Sequence, residues 1–398
     1  MRSLFCVAAG ALLLKTFLAL FTVGTNDALT WEHDLDKLRA AGFTQLYREG
    51  VQYSSPSGTA YPRQDFIHPA AMVHGLRGLG MLQDVSGLPL RFYLRLICAF
   101  ADIGTLVTVW MILGRPHDGC LLKLLTLSPI SILVSGFHAN TDPIMIFFVV
   151  LGVYFVERGR VGWAGVAFGT AASIKLVPMI FVPAILMYLP SLRERVKWGC
   201  IGAGTWIVLS MPYLALEPIL ILKTIFGYES ARGTWGFYLF VSLLKDTPLD
   251  FLNRFYAPLA KWIAFGACAA LPLVMKLVRV TPPLFVQCGM IVFAFLFLSP
   301  GFALQYLAWT VPWIVVLGPE TMAAYYAISG VCLLAAYTAA TGGTVINAYA
   351  DTFNVTIGMR LFTRFVLWLS IGVMVWLYGR FVNAACFQSS RTSLRQPS

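Results

Sequence analysis

The sequence predicts an all-α fold, a polytopic transmembrane helical bundle of about 12 spans. Composition is the first observation behind it, because 58% of the 398 residues are hydrophobic and only 12% are charged, about half the charged share of a typical soluble domain. The second is that the apolar residues recur in blocks of about 20, which is enough helix to cross a hydrocarbon core. The third is that basic residues stand in short runs between these blocks, as control of membrane topology requires.

Apolar blocks and the breakers between them predict the spans in chain order. The predicted spans are 5–23, 89–113, 120–136, 141–156, 161–175, 177–190, 197–216, 258–278, 283–299, 302–318, 320–340 and 361–383. Two blocks need a decision, because 120–156 is too long for one helix and 161–190 is short for two. We divide the first at the polar run 138–143 and the second at Lys175.

The distribution of basic residues tests this division. If the N-terminus is cytoplasmic, twelve spans place every basic cluster of the later loops inside, as the positive-inside rule demands. These clusters are Arg158/Arg160, Arg193/Arg195/Lys197, Lys276/Arg279 and Arg391/Arg395. The same topology puts two long loops on the non-cytoplasmic side, 24–88 after the first span and 217–257 after the seventh, and a tail at 384–398 in the cytoplasm. The chain 1–398 is thus predicted to be one integral membrane domain.

Several function classes are excluded by composition and motif. The net charge of +11 is spread between spans rather than collected on one face or tail, so we expect a lipid bilayer and no nucleic acid as partner. The eight cysteines fall in or beside apolar segments, which favours neither disulfides nor metal clusters. The sequence has no Gly-rich phosphate loop, no strand-linked GxGxxG and no HExxH, so soluble nucleotide use is not indicated.

Two charges fall inside predicted spans. Lys15 lies in the first span and Asp102 in the second, where an unpaired charge would be costly. We predict that the two side chains pair with each other. A proton relay is the competing interpretation.

A carboxylate follows the first span almost directly. Asp27 comes within the first residues of the outer loop, and Asp34 follows two helical turns later. A carboxylate held near the membrane surface by a fixed helix end is partly desolvated and is well placed to take a proton from an alcohol. Both are therefore candidate general bases. The competing interpretation of such an aspartate is helix capping or simple solvation in a loop.

Other breaks put polar groups on the same predicted face. They are His138, Asn140 and Asp142 between spans three and four, Lys175 between spans five and six, and Gln305 with Tyr306 at the outer end of span ten. Each alone has a structural interpretation, such as helix initiation at Asp142 or interhelical hydrogen bonding by Gln305. Their common face is harder to explain that way, because ionisable groups at membrane depth usually face a cavity or a partner.

Taken in order, these residues resemble the GT-C superfamily of membrane glycosyltransferases, especially bacterial relatives of the polyprenol-phosphate-mannose-dependent mannosyltransferases. The motifs are Asn26-Asp27 with Trp31, Gly42 with Leu46-Tyr47, His68-Pro69, His138-x-Asn140-x-Asp142-Pro143, Lys175-x-x-Pro178, and Ser299-Pro300-Gly301-Phe302 leading into Gln305-Tyr306. They span most of 20–315. None is specific alone, so the resemblance depends on their order and shared face, and 320–398 adds no motif to it.

The resemblance implies a hexosyltransferase that moves a sugar from a polyprenyl-phosphate donor to a glycan or lipid acceptor at the outer leaflet. It implies Asp27 as the general base, with Asp34 second, and Lys175 and Arg232 as the cations that neutralise the leaving phosphate. The implied substrate-binding residues are Trp31, His68, His138, Asn140, Asp142, Gln305 and Tyr306. The sequence departs from the family pattern at Ala70, where relatives often have a second proline, and its acidic cluster at 32–36 blurs the choice of base.

We expect no cofactor beyond the lipid-linked sugar itself. A divalent metal is not indicated but stays open, because Asp27, Asp34 and Asp142 could share a hard cation. A lipid phosphate leaves readily, so one base opposite it favours displacement with inversion. Short loops favour a bacterial inner membrane, with the site facing the periplasm. The sequence does not identify the sugar, the acceptor or the oligomeric state.

Two other functions compete with sugar transfer. A transporter or lipid-linked-sugar flippase also has many spans and broken helices. Many transporters contain internal repeats, whereas here only one half has a 65-residue outer loop. A non-catalytic membrane scaffold is the third possibility, and it would leave the charged breaks unexplained.

Overall fold

Helices make up most of the computed structural model, which describes residues 2–54, 58, 60–115, 119–227, 235–342, 349–350 and 355–393. The first helices are α1 (Arg2–Phe21), α2 (Asn26–Glu49), α3 (Ala71–Ser86), α4 (Leu90–Ile112), α5 (Cys120–Thr126), α6 (Pro129–Leu133), α7 (Asp142–Glu157), α8 (Val161–Ile174) and α9 (Val182–Tyr188). The later ones are α10 (Leu192–Ser210), α11 (Tyr213–Leu216), α12 (Pro218–Phe226), α13 (Gly236–Ser242), α14 (Asp250–Leu277), α15 (Leu284–Leu298), α16 (Pro319–Thr341) and α17 (Ile357–Ser393). The strands β1 (Gly24–Thr25) and β2 (Tyr349–Ala350) pair in parallel.

The predicted all-α membrane fold is confirmed at this level. Within the described residues, six helical stretches are long and apolar enough to cross a membrane: Ser3–Phe21, Leu90–Ile112, Cys120–His138, Asp250–Leu277, Pro319–Thr341 and Ile357–Asn383. Val161–Ile174, Val177–Tyr188 and Leu284–Leu298 are apolar but shorter. The count of 12 spans therefore stays a prediction.

Three predicted segments differ from the helices observed. The span 302–318 is not an α-helix but two 3₁₀ segments, Leu304–Thr310 and Ile314–Leu317, because Pro312 between them has no N–H for an α-helical ladder. The outer loop 24–88 consists largely of α2 and α3. The predicted tail 384–398 starts inside α17, which continues to Ser393, and 394–398 lie outside the described residues.

The division of 161–190 agrees with how α8 and α10 pack. A Cβ added at Gly165 would lie 2.9 Å from the carbonyl oxygen of Trp198, and one added at Gly169 would lie 2.4 Å from that of Gly202. The contact positions rise together along both helices, so α8 and α10 run parallel at the close approach that small residues permit. The chain between them must return to the opposite end of the bundle.

The end of α1 is fixed by a buried arginine. Arg95 of α4 is fully buried, and its guanidinium donates to the carbonyl oxygens of Thr22 at 2.9 Å and Ala19 at 3.3 Å, and to that of Val23. The last carbonyls of a helix have no partner within the helix. A fixed cation that satisfies them therefore sets where α1 stops and where the next residues begin.

The chain leaves α1 through a position that admits no side chain. Gly24 has φ +97°, and a Cβ there would lie 1.8 Å from Nη2 of Arg95 and 2.6 Å from the carbonyl oxygen of Phe137. Thr25 follows as the N-cap of α2, because its hydroxyl accepts from the backbone N–H of Asp27 at 3.3 Å. Asp27 is thereby held in the first turn of α2, where the helix dipole favours a negative charge.

A widened turn shapes the break after α6. Residues 134–138 form a π-helix, and Ala139 follows in the left-handed region with φ +64°. π-turns and left-handed residues other than glycine are uncommon and often occur at functional sites. Together they end the helix so that His138 and Asn140 are presented at the same end of the bundle as Asp27.

The predicted pairing of Lys15 with Asp102 is confirmed. Lys15 Nζ lies 2.6 Å from Asp102 Oδ2 and 2.7 Å from Ser131 Oγ, and the hydroxyls of Ser131 and Ser135 also donate to that carboxylate. The lysine side chain is only 3% exposed. The cluster joins α1, α4 and the α6 segment at one point inside the bundle.

Removing the charge at Lys15 should destabilise the protein, because the carboxylate of Asp102, only 17% exposed, would lose its counterion. We expect Lys15→Met to lower the stability by about 3–5 kcal/mol, measured as the thermal midpoint of purified protein in detergent. Lys15→Met/Asp102→Asn should recover part of the loss. Lys37→Met, which breaks the exposed pair with Glu49, is the control and should change little. Equal losses for the two single variants would contradict this account.

Gly24→Ala should prevent normal assembly of the end of α1, because its Cβ would overlap Arg95. Gly42→Ala is a matched control, since Gly42 also has positive φ (+81°) but has nothing within 4 Å of an added Cβ. We expect Gly24→Ala to lose far more folded protein than Gly42→Ala, measured by size-exclusion chromatography in detergent. Comparable yields of the two variants would show that backbone strain alone explains the effect.

Candidate active site

Asp27 is the centre of a group of polar side chains that meet at the helix ends. Its Oδ2 accepts from Asn140 Nδ2 at 2.6 Å and from Gln305 Nε2 at 3.4 Å, and it lies 3.2 Å from His138 Nε2. Its Oδ1 has a longer contact, 3.5 Å, with Asn26 Nδ2. The side chain keeps 24% exposure. One carboxylate oxygen is therefore held firmly, and the other is bound more loosely.

Asp27 is held as a carboxylate. Burial alone would raise its pKa, but the hydrogen bonds from His138 and Asn140 and the positive charge of Lys175 outweigh that effect and leave the pKa below its usual 3.8. At neutral pH the group is thus ionised and able to accept a proton.

Lys175 is paired on the other side of Asn140. Its ammonium donates to Asn140 Oδ1 and to both oxygens of Asp142, each at 2.8 Å, and lies 6.0 Å from the centre of the Tyr306 ring. Asp142 is fully buried and also accepts from Trp309 Nε1 at 2.8 Å. The positive charge of Lys175 is therefore already balanced by Asp142, and Asn140 links this ion pair to Asp27.

The first 3₁₀ segment brings in the residues from the later part of the chain. Gln305 reaches Asp27, whereas Tyr306 stacks on Trp309 with ring centres 4.3 Å apart. Residues three apart in a 3₁₀ helix lie above one another, so this geometry lets Tyr306 and Trp309 stack while Trp309 bonds Asp142.

An aromatic wall forms where the first outer segment meets the end of α8. The rings of Trp31 and His68 lie 4.5 Å apart, and the His68 ring also hydrogen-bonds the backbone of Ile174, next to Lys175. Burial and the nearby Lys175 charge lower the pKa of His68 to about 3. His68 is thus a neutral wall at neutral pH rather than a cation for a phosphate.

Asp34 does not join the group around Asp27. It is 3% exposed, and its Oδ1 has no hydrogen-bond partner among the residues that the structure describes. Burial raises its pKa well above 3.8. Seven residues of α2 separate it from Asp27, or about 10 Å at 1.5 Å per residue. Sequence alone could not separate the two, because it does not say which carboxylate meets donors from other helices.

Arg232 lies outside the described residues. The other predicted site residues are brought together as follows: Asp27, His138, Asn140 and Gln305 share direct contacts, Lys175, Asp142 and Tyr306 adjoin them, and Trp31 and His68 form the wall. Sequence reasoning missed Thr25, Trp309 and Tyr337. A threonine before a helix start could have indicated Thr25 as an N-cap, but an aromatic residue in an apolar helix gives no such signal.

No group of three or more His, Cys, Asp or Glu side chains is placed to hold a metal ion in the part of the chain that the structure describes. The hard cation left open by the sequence would need Asp27, Asp34 and Asp142 together. Asp142 bonds Lys175 instead, and Asp34 lies two turns away along α2. That the protein uses no metal stays a prediction.

Residues 135–239 match the family model described as mannosyltransferase (PIG-M). No curated protein matches the chain. The matched segment is about a quarter of the chain and includes His138, Asn140, Asp142 and Lys175. The match confirms the resemblance to the GT-C membrane mannosyltransferases and supports a membrane mannosyltransferase.

The neutral state of His68 predicts a pH dependence of stability. The folded protein keeps the ring neutral down to about pH 3, whereas an unfolded histidine takes up its proton near pH 6.5. Because the unfolded chain binds the extra proton, the stability from this group is complete above about pH 6.5 and falls as the pH drops toward 3. We expect Tm to fall less for His68→Phe than for wild type between about pH 7 and 5. Parallel curves would contradict the burial of a neutral ring.

Proposed function

We propose that this protein transfers a hexose, with mannose the first choice, from a polyprenyl-phosphate donor to a hydroxyl of a glycan or lipid acceptor, with inversion. Asp27 is the general base. The observation that carries the proposal is the carboxylate of Asp27, which is ionised and held on one oxygen by donors from separate helix ends. A carboxylate that is only structural has no need of a second, loosely bound oxygen.

The free edge of that carboxylate supports the role of a base. Three groups occupy Oδ2, so Oδ1 is the oxygen that can face an acceptor hydroxyl. A base of lowered pKa takes the proton only after the acceptor oxygen has begun to bond the anomeric carbon, since that bond makes the oxygen far more acidic. His138, Asn140 and Gln305 hold the carboxylate for this moment.

The proposed reaction is a single displacement. The acceptor oxygen forms a bond to the anomeric carbon, the bond from that carbon to the phosphate oxygen breaks, and the polyprenyl phosphate leaves with the electron pair. The acceptor proton moves to Asp27. Retention would need a second carboxylate as nucleophile. Asp142 is tied to Lys175 and Asp34 is about 10 Å away along α2, which supports inversion.

The leaving phosphate requires positive charge, and Lys175 supplies only part of it. Its ammonium faces the site at 16% exposure but is matched by Asp142. With Asp27 ionised and His68 neutral, the described side chains of the site carry no surplus positive charge. Arg232, at the end of the matched family segment, remains our proposal for the second cation, because a guanidinium binds phosphate oxygens in pairs.

The proposed setting is a bacterial inner membrane, with the site open to the periplasm. This face is where the positive-inside rule puts the end of the first span. A flippase for lipid-linked sugars remains the alternative, and the same assay separates the two functions because a flippase leaves the sugar–phosphate bond intact.

Purified protein should release polyprenyl phosphate from one member of a panel of polyprenyl-phosphate mannose, glucose and arabinose. Asp27→Asn should lower this rate by at least about 100-fold, since it removes the base. Asp34→Asn is the matched control, because Asp34 is buried on the same helix and an amide has nearly the shape of its carboxyl group. We expect it to keep most of the rate.

The readout is donor cleavage and labelled product by mass spectrometry, with folded yield checked for each variant. Full activity of Asp27→Asn, or a larger loss in Asp34→Asn, would remove Asp27 from the role of base. No cleavage of any donor together with movement of intact donor between leaflets would favour the flippase.

A further inference from the structure

A hydroxyl from the last third of the chain reaches the candidate site through His138. Tyr337 lies on α16 and is fully buried. Its OH is 2.7 Å from His138 Nδ1, and the other ring nitrogen, Nε2, is 3.2 Å from Asp27 Oδ2. Tyr337, His138 and Asp27 thus form a chain of contacts from α16 to the carboxylate. The hydrogen bond of Tyr337 goes to His138, and its effect on the carboxylate is therefore indirect.

The hydrogen-bonding capacity of these groups fixes which nitrogen carries the proton. A neutral imidazole has one donor and one acceptor, and a tyrosine hydroxyl has one proton to donate. If that proton goes to Nδ1, the ring proton sits on Nε2 and points at the carboxylate. Every group is then satisfied.

The alternatives each leave a buried group unsatisfied. A proton on Nδ1 alone would aim the lone pair of Nε2 at the carboxylate. A proton on both nitrogens would still leave the hydroxyl proton of Tyr337 without an acceptor among the described residues. An unmade hydrogen bond at a fully buried position is costly. The geometry therefore selects the tautomer with the proton on Nε2.

We propose that Tyr337 is a positioning residue for sugar transfer: by donating to Nδ1, it fixes His138 in the tautomer whose Nε2–H donates to Asp27. This inference rests on the proposed function for its meaning in catalysis, but the tautomer itself does not. It assigns a role to a segment, 320–398, in which the sequence contains no family motif.

Other charged and titratable groups also act on Asp27. Lys175 attracts its negative charge and lowers its pKa. His68 faces Asp27 from the first outer segment but is neutral at neutral pH. Asp142 pairs with Lys175 and so balances the lysine charge. Among the groups near Asp27 named here, His138 is the one that bonds the hydroxyl of Tyr337 on α16. Loss of the Tyr337 hydroxyl should therefore affect Asp27 through the hydrogen bond from His138.

Tyr337→Phe keeps the ring that packs against Phe137, with centres 5.2 Å apart, and removes only the hydroxyl. We expect kcat/KM for donor cleavage to fall about tenfold, the effect of one misplaced hydrogen bond, with KM nearly unchanged because the fully buried Tyr337 acts through His138. The acid limb of the pH profile should move to higher pH, since Asp27 loses the N–H that favours its charged form.

Tyr326→Phe is the matched control. Tyr326 is also buried on α16, and its hydroxyl donates to the carbonyl oxygen of Val311 at 3.1 Å, away from His138. It should change neither the pH profile nor kcat/KM at equal folded yield. Identical pH profiles for wild type and Tyr337→Phe would overturn the proposal.

A second measurement is independent of activity. ¹⁵N spectra of histidine-labelled protein distinguish the two neutral tautomers and the cation, and five histidines in the chain make His138 assignable by its loss in His138→Gln. An unprotonated Nδ1 and a protonated Nε2 at neutral pH would support the proposal, and any other protonation state would overturn it. If this tautomer is found but no donor is cleaved, the proposed function fails while the assignment stands.

Discussion

The cap that Arg95 places on α1 is the interaction on which the candidate site depends. A helix that ends near a membrane core leaves carbonyl oxygens that water cannot easily reach. The guanidinium satisfies them from a neighbouring helix and leaves room after them only for Gly24. The first turn of α2 must then start at Thr25, which puts the carboxylate of Asp27 where the π-turn delivers His138 and Asn140.

Asp27 differs from the two carboxylates of the bundle that lie in ion pairs with lysine. Lys15 pairs with Asp102, and Lys175 pairs with Asp142. Asp27 is bonded instead by amides and an imidazole. A carboxylate that is hydrogen-bonded but not locked in an ion pair can accept a proton without breaking a salt bridge, which is the property that distinguishes it from the other two.

The sequence predicted where the helices break, but it did not predict the backbone conformation at those breaks. Apolar blocks interrupted by Asn140, Pro143 and Lys175 indicate where helices end, because each interrupting group is costly in lipid. The same pattern does not show the π-turn or the left-handed Ala139, since one extra residue in a helical turn barely changes hydrophobic periodicity. It also predicted a span at 302–318 where Pro312 divides two 3₁₀ segments.

The roles of individual site residues were also hard to predict, because they depend on contacts between distant parts of the chain. Asp27 and Asp34 are two turns apart in similar surroundings along the chain. They differ in their contacts: Asp27 receives hydrogen bonds from other helices, whereas Asp34 Oδ1 has no partner among the described residues. Tyr337 has the sequence context of an ordinary core aromatic. Its distinction is a single contact with a residue 199 positions earlier, which no local pattern encodes.

That long separation has a consequence for how the protein is made. Asp27 and His138 are 111 residues apart, and Gln305 is 278 residues from Asp27. Most of the chain must therefore be synthesised before these side chains can contact one another. The full set of contacts around Asp27 is therefore complete only after Gln305 on the first 3₁₀ segment and Tyr337 on α16 have been synthesised and packed against the earlier helices.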